Sequence, residues 1–438
     1  MIQSSGLRGR LSALAVAVLA VAVGACGNST PGGGGQLAAQ PSGDITFGSD
    51  SSFTGANAFF GQEQIAGCYT AVSLINQNGG ILGHKAHCQV IDNRNDPADG
   101  VAAATKAVAT ITNLEGTLGP GGVATATEPI YEAAKITMMA DTGDSAFNQT
   151  HDKYFWRITP PDSAGGFALA AWALKQGYKT AAAVFGSDTT AQTSVPTLVS
   201  GFKKGGGNMA LNLGVTEDQP SYQTEAARMV AAHPQAIFTE ADPQTDATFF
   251  KAFLQLNGGQ MVPIIGTAPT ISADWAKAVG DAIGTANLDK YYVGLQPYVA
   301  AAGPSWNVYN TALLADTTDV TQPSNQWSAD AYSMTDYDGI NLMALAMLAT
   351  KSVVPVDYNS HIIDVANPGS GKTDVHSFAE GKAALAAGKS IRYIGAGGAV
   401  NFDQYHNYGG DFSANGYDSS GNQTTAGVVT AADILKLH

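Results

Sequence analysis

From Asp44 onward the apolar positions switch between two spacings. Ile45 and Phe47 alternate with polar neighbours, as in a strand, and after a polar turn the stretch from Glu63 to Asn76 carries apolar residues at helical spacing. Asn78-Gly79-Gly80 stops that helix. His87 to Asp92 reads as a second strand, and Asp96-Pro97-Ala98-Asp99 opens a helix through Ala109, with proline in the first turn, where its missing N–H does no harm. The theme repeats with a strand ending at Thr117 to Gly119, a helix over Ile130 to Ala134, and strands at Thr137 to Ala140, Thr180 to Phe185 and Gln235 to Thr239. Such alternation predicts an α/β fold with parallel strands and helices on both faces. There are more units than one compact sheet holds, and the helical patterns at Gly165 to Gln176 and Ala329 to Ala349 fall where a chain passes between lobes. Two α/β lobes are therefore expected.

The first residues break this pattern. Arg8 and Arg10 precede an apolar run from Leu11 to Val23, then Gly24 and Ala25 stand directly before Cys26. The run falls short of the about 20 apolar residues a permanent membrane helix needs, so residues 1–25 read as an export signal. Val23-Gly24-Ala25-Cys26 resembles the bacterial lipobox, in which the cysteine sulfur is lipidated before cleavage, so Cys26 is the expected first residue of the mature chain. Gly27 to Ser42, with Gly32 to Gly35 unbroken, lacks the apolar content to build a core, and residues 26–43 read as a flexible tether. The expected location is the outer face of the cell membrane, or the periplasmic side in a two-membrane cell, held by lipid.

Export changes how the cysteines are read. Of three cysteines, one is assigned to lipid, leaving Cys68 and Cys88 in an oxidising compartment, where a disulfide is expected; two buried thiols are the alternative that spacing leaves open. The formal net charge of -14 becomes more negative once Arg8 and Arg10 are removed, which argues against nucleic acid and against adhesion to anionic lipid.

The block Phe53-Thr54-Gly55, Phe60-Gly61, Gly67, Ile75-Asn76, Gly79-Gly80-Ile81-Leu82-Gly83 and Asp96-Pro97 resembles, in order and spacing, the N-terminal signature of the branched-chain amino acid binding proteins of ABC importers. Ile130-Tyr131-Glu132, Phe155-Trp156-Arg157, Tyr337-Asp338-Gly339 and Val400-Asn401-Phe402-Asp403 extend the likeness over nearly all of the mature chain. The resemblance implies the type I periplasmic-binding fold: two Rossmann-like lobes, three hinge crossings and a ligand cleft between the lobes. By analogy, lobe one takes residues 44–161 and 294–400, and lobe two takes 162–293 and 401–438. It also implies a monomer without cofactor or metal that catalyses no reaction, and partners in an ABC permease and its ATPases. The expected solute is small and polar, an amino acid or amino-acid-like amide. A sensing receptor of the same fold is the alternative, which a lone lipid anchor without a fused signalling domain disfavours.

In α/β sheets ligands bind beyond the carboxyl ends of the strands, where loops present backbone N–H groups. Gly121, Gly122 and Val123 hold that position, and the matching loop of the family grips the ligand carboxylate. The next strand leads into Thr142, Asp144 and Ser145, where the family supplies acceptors to an ammonium. Phe60 falls where the family places an aromatic cover. From lobe two come Thr190, Glu240 and Asp242, with Thr267 and Ala268 in a further loop. Here the sequence departs from its relatives: threonine, alanine and alanine align where the branched-chain binders carry two tyrosines and a glutamate. Asp144, Glu240 or Asp242 is the expected replacement for that carboxylate.

Other matches are set aside. Ala366 to Thr373 fits a relaxed phosphate-loop pattern but lacks an acidic magnesium partner strand and a strong helix after it. Asp141-Thr142-Gly143 mimics an aspartic protease loop without the second copy that chemistry needs. His84, His87 and Cys88 sit beside a turn, where ligands this close rarely converge on a metal. Asp92 to Asp96 carries arginine and proline where a calcium loop does not.

Overall fold

The structure, a computed structural model, describes residues 37–55, 58–187 and 191–437. Five parallel strands, β1 (Ile45–Ser51), β2 (Ala86–Asp92), β3 (Leu114–Leu118), β4 (Met138–Ala140) and β5 (Phe155–Arg157), form one sheet in the order β2-β1-β3-β4-β5. β3, β4 and β5 are buried along their whole length, as parallel strands covered on both faces must be, whereas the edge strand β2 buries only Ala86 and Ile91. Helix Pro97–Thr110 starts as expected, with the Asp96 carboxylate accepting from the Ala98 and Asp99 amides at 2.8 and 3.0 Å.

A second sheet has seven strands, in the order β15 (Gln423–Val429), β14 (Phe412–Tyr417), β10 (Tyr292–Pro297), β9 (Ile264–Gly266), β8 (Ala236–Glu240), β6 (Thr180–Gly186) and β7 (Asn208–Val215). Its parallel part is β6, β7, β8, β9 and β10, extended antiparallel by β14 and β15. Between them in sequence, β11 (Thr373–Val375), β12 (Ile391–Gly395) and β13 (Gly398–Ala399) form a small sheet near the long helix Ala331–Thr350, which is buried on nearly every face and packs on the helix Ala58–Gln77. The first core gathers Phe47, Trp156, Tyr337 and Met343; the second sheet carries separate cores around Phe250 and Trp275 on one face and around Phe185 and Phe202 on the other. The two lobes are thus built as separate cores joined by three crossings, after β5, after β10 and before β14.

Two boundaries move. Gly294, the expected start of the return to lobe one, lies inside β10, hydrogen-bonded between β9 and β14, so that crossing follows Pro297. Phe402 bridges Tyr408 and both pack into the first core, so the last crossing follows Tyr408 rather than preceding residue 401. The tether also ends early. Ala38 donates its amide to Asp357 at 3.0 Å, and the Gln40 side chain donates to Ser352 Oγ and accepts from the Val353 amide at 2.7 and 2.9 Å. Residues 1–25 and Cys26 lie outside the described residues.

Cys68 and Cys88 form a disulfide that ties the helix Ala58–Gln77 to the edge strand β2. Cys88 is thereby withdrawn from the histidines, of which His84 bonds the Gly43 carbonyl and His87 the Asp44 carboxylate. Asp92 accepts from the amides of Phe53 and Thr54, pinning the loop after β1. Lys372 of the phosphate-loop-like segment spends its ammonium on the carbonyls of Asp364 and Asn367.

Candidate ligand-binding cleft

Strand order in the first sheet reverses between β1 and β3, which is where an open parallel sheet leaves a crevice beyond its carboxyl ends. A cavity of about 340 Å³ sits there. The end of β1 contributes Ser51 and the residue after it Ser52, the segment after β3 contributes Pro120 to Gly122, and that after β4 Asp141 to Ser145. Phe60 and Gln64 reach it from the helix Ala58–Gln77, Tyr332 from the start of the helix Ala331–Thr350, and Asp162 from the first residue of the helix Asp162–Lys175. The second sheet reverses between β6 and β8, and Thr193, beyond β6, reaches the same cavity.

A second cavity of about 310 Å³ shares Phe60 and Tyr332 with the first. It adds Glu63 and Asp330 from the first lobe and Ala268, Gln296, Ser413 and Asn415 from the second sheet and its loops. The crevice therefore has walls from both lobes, with two aromatic rings at the junction of its two chambers; those rings meet edge to face, 6.5 Å apart.

Six of the expected site residues converge on the first cavity: Phe60, Gly121, Gly122, Thr142, Asp144 and Ser145. Val123 does not; its side chain is buried in the turn behind the loop. Glu240 ends β8 outside both cavities. Asp242 also lies outside them, because its carboxylate caps the helix Pro243–Leu256, accepting from the Gln244 and Thr245 amides at 2.8 and 2.9 Å. Thr190 lies outside the described residues.

Sequence reasoning missed Gln64, Asn93, Asp141, Asp162 and Tyr332. Gly143 was the available signal for Asp162: a Cβ there would lie 1.9 Å from Asp162 Oδ1, so only glycine lets that carboxylate approach the loop. Gly121 adopts a φ of 60°, which presents its amide to Asp141 Oδ1 at 2.7 Å, and Gln64 Nε2 donates to the other oxygen. Tyr332 comes from a helix remote in sequence, and no local pattern marks it.

The cleft is rich in carboxyl groups held away from water. Burial pushes Asp141 up to about 6, despite the hydrogen bonds from Gly121 and Gln64 that favour its charged form. Glu63 is pushed up to about 10, by burial first and then by the charge of Asp330, so it holds the proton of that pair. Asp162 is raised by burial, with Arg157 pulling the other way. Arg157 is fully buried, donates to Asn148 Oδ1 at 2.8 Å and to the Asp144 carbonyl, and is itself lowered to about 10 by burial. Asn93 donates to the buried Asp50, which also accepts from Tyr131 at 2.7 Å, fixing the floor behind the loops.

Comparison with known proteins decides what kind of crevice this is. Residues 44–356 match the family model for the periplasmic binding proteins. The chain belongs to that family. A Leu/Ile/Val-binding protein of Rhizobium johnstonii is 43% identical over 65 residues, a match spanning 15% of this chain and 18% of that protein. Among solved structures, a leucine binding protein from Thermotoga maritima superposes with a TM-score of 0.65 at 17% identity, covering 89% of this chain and 99% of its own. The isoleucine complex of a branched-chain amino acid transporter binding protein from Streptococcus pneumoniae gives 0.63 at 16%, covering 88% and 99%. A solute binding protein from R. palustris in complex with benzoate gives 0.60 at 17%, covering 89% and 97%. At these identities the superpositions establish the two-lobed type I fold. Family members are solute-binding proteins of the extracytoplasmic space.

Proposed function

We propose that this chain is the extracytoplasmic solute-binding lipoprotein of an ABC importer, anchored through Cys26, which captures a small polar solute of the amino acid or amide class. It hands that solute to a permease and its ATPases. The observation that carries the reading is the convergence of loops from both lobes, at the reversal points of both sheets, on two adjoining cavities that share Phe60 and Tyr332. Lobe one in this proposal comprises residues 44–161 and 298–408, and lobe two 162–297 and 409–438.

A solute that touches both walls favours the state in which they approach, by the difference in its affinity for the closed and open forms. Phe60 is 44% exposed beside the cavity and is assigned to cover the apolar part of the solute. Thr142, Ser145 and Asp144 are assigned as acceptors for its polar end, and Gly121 and Gly122 as the close backbone wall. Nothing in this scheme asks a residue for covalent work.

The test is a thermal-shift screen of protein lacking residues 1–25 against amino acids, amides, amines, short-chain acids and ureas, since a ligand binding only the folded state raises its melting temperature. A reproducible shift with one chemical class supports capture; a flat response across the panel counts against it. Labelling of cells with a radioactive fatty acid tests the anchor, which requires incorporation into the natural chain and none into Cys26→Ser.

A further inference from the structure

Among the described residues lining the first cavity there are three aspartates, Asp141, Asp144 and Asp162, and no lysine, arginine or histidine. Arg157, behind the loop, interacts with Asp162 and Asp144. Asp141 has no such support. It is buried, and its partners are the neutral amides of Gly121 and Gln64. The Gly121 N–H, the donor that a solute carboxylate arriving at this turn would need, is already bound to the protein's own carboxylate. An arriving anion would have to displace Asp141 and then sit among like charges, with no cationic side chain in the lining to offset them.

A second observation points the same way. Gln64 is 3% exposed, lines the cavity, and its Oε1 has no hydrogen-bond partner. Glu63, 2% exposed, leaves its Oε1 equally unpartnered beside the adjoining chamber. Buried acceptors of this kind are costly unless a donor reaches them. A carboxylate offers no N–H; an ammonium offers three and an amidinium more.

We infer that the solute is a small organic cation without a carboxylate, an amine, amidine or amino-acid amide, whose charged nitrogen lodges between Asp141 and the Gln64 carbonyl. The inference rests on the solute-capture reading and narrows it: the position where a free amino acid would place its carboxylate is filled from within by Asp141. Two chambers of comparable size meeting at Phe60 and Tyr332 then suit a polar cationic head in one and the remainder of the molecule in the other. The net charge of -14 attracts such a ligand at long range.

Matched pairs test this by isothermal titration on the natural protein without residues 1–25: glycinamide against glycine, alaninamide against alanine, leucinamide against leucine, and agmatine against 4-guanidinobutyrate. At least one cation must bind, and at least about 100-fold more tightly than its carboxylate partner, a difference of about 2.7 kcal/mol. A carboxylate binding as tightly as its partner overturns the cation assignment while leaving solute capture standing. No binding by any member, together with a flat thermal-shift screen, overturns both. Asp141→Asn keeps the volume and an acceptor for Gly121 but removes the charge, and must weaken the cation at least about tenfold without lowering the melting temperature of the ligand-free protein. Gln64→Leu removes the unpartnered carbonyl without altering the Gly121–Asp141 bond, so it serves if Asp141→Asn does not fold, and must weaken the same cation. Unchanged affinity in a folded variant overturns the placement.

Discussion

Gly143→Ala is the sharpest probe of how the cleft is assembled. The new methyl would lie 1.9 Å from Asp162 Oδ1, 2.5 Å from Cγ and 2.9 Å from Oδ2, well inside contact distance for all three atoms. The clash has no easy relief, because the Asp162 amide donates to the Gly143 carbonyl at 2.9 Å, Asp162 is the first residue of its helix, and its carboxylate is held by the charge of Arg157. Overpacking of this kind costs about 1–3 kcal/mol. Urea denaturation of Gly143→Ala should therefore show that loss, with the slope against denaturant unchanged. In the Asp162→Ala background the offending atoms are gone, and adding Gly143→Ala should then cost less than about 0.5 kcal/mol, so the cycle returns a coupling of about 0.5–3 kcal/mol. Equal costs in both backgrounds would refute the claim that Gly143 exists to admit Asp162 to the cavity.

Phe60→Ala should leave stability within about 0.5 kcal/mol, since the ring is half exposed, while weakening the solute by about tenfold in calorimetry; unchanged affinity removes Phe60 from the site. Asp246 is fully buried, bonded to Thr239 Oγ1 and Trp275 Nε1 at 2.8 Å each, and pushed by burial up to about 8. The native state thus holds a proton that the unfolded chain releases near pH 4, so this group makes stability fall as pH rises from about 4 to about 8, on the order of 5 kcal/mol. Denaturation midpoints across that range should flatten in Asp246→Asn, and an unchanged slope contradicts the assignment. Replacing Cys68 and Cys88 together by alanine opens a loop of sequence separation 20 and should cost about 3 kcal/mol in urea denaturation; a loss below about 1 kcal/mol argues that the bond does not constrain the chain.

The fold was legible because its signals are local. Strand and helix periods in sequence, Asp96-Pro97 at a helix start and Asn78-Gly79-Gly80 at a helix end each act within a few residues, and the structure places elements there. Lobe crossings were less legible: Gly294 and Phe402 belong to one lobe or the other by pairing with β9, β14 and Tyr408, which are contacts no local window contains. The site divides in the same way. Phe60, Gly121, Thr142 and Ser145 lie on loops that directly follow strands or open a helix, so position in the pattern was enough to place them beside the cavity. Asp141 stood in the sequence only as part of a protease-like triplet, and its place at the cavity is visible only through the partners that Gly121 and Gln64 provide in space. Asp242 shows the converse: a carboxylate expected at the solute is placed by the structure at a helix start, where it accepts from the Gln244 and Thr245 amides.

Closure on a solute is the central claim, and small-angle X-ray scattering of the protein without residues 1–25 tests it most directly, with and without the tightest binder from the thermal-shift screen. The account predicts a smaller radius of gyration in the presence of solute, with the solute concentration needed for half of the change rising about tenfold in Phe60→Ala. Identical scattering curves at saturating solute would contradict capture by closure of the two lobes.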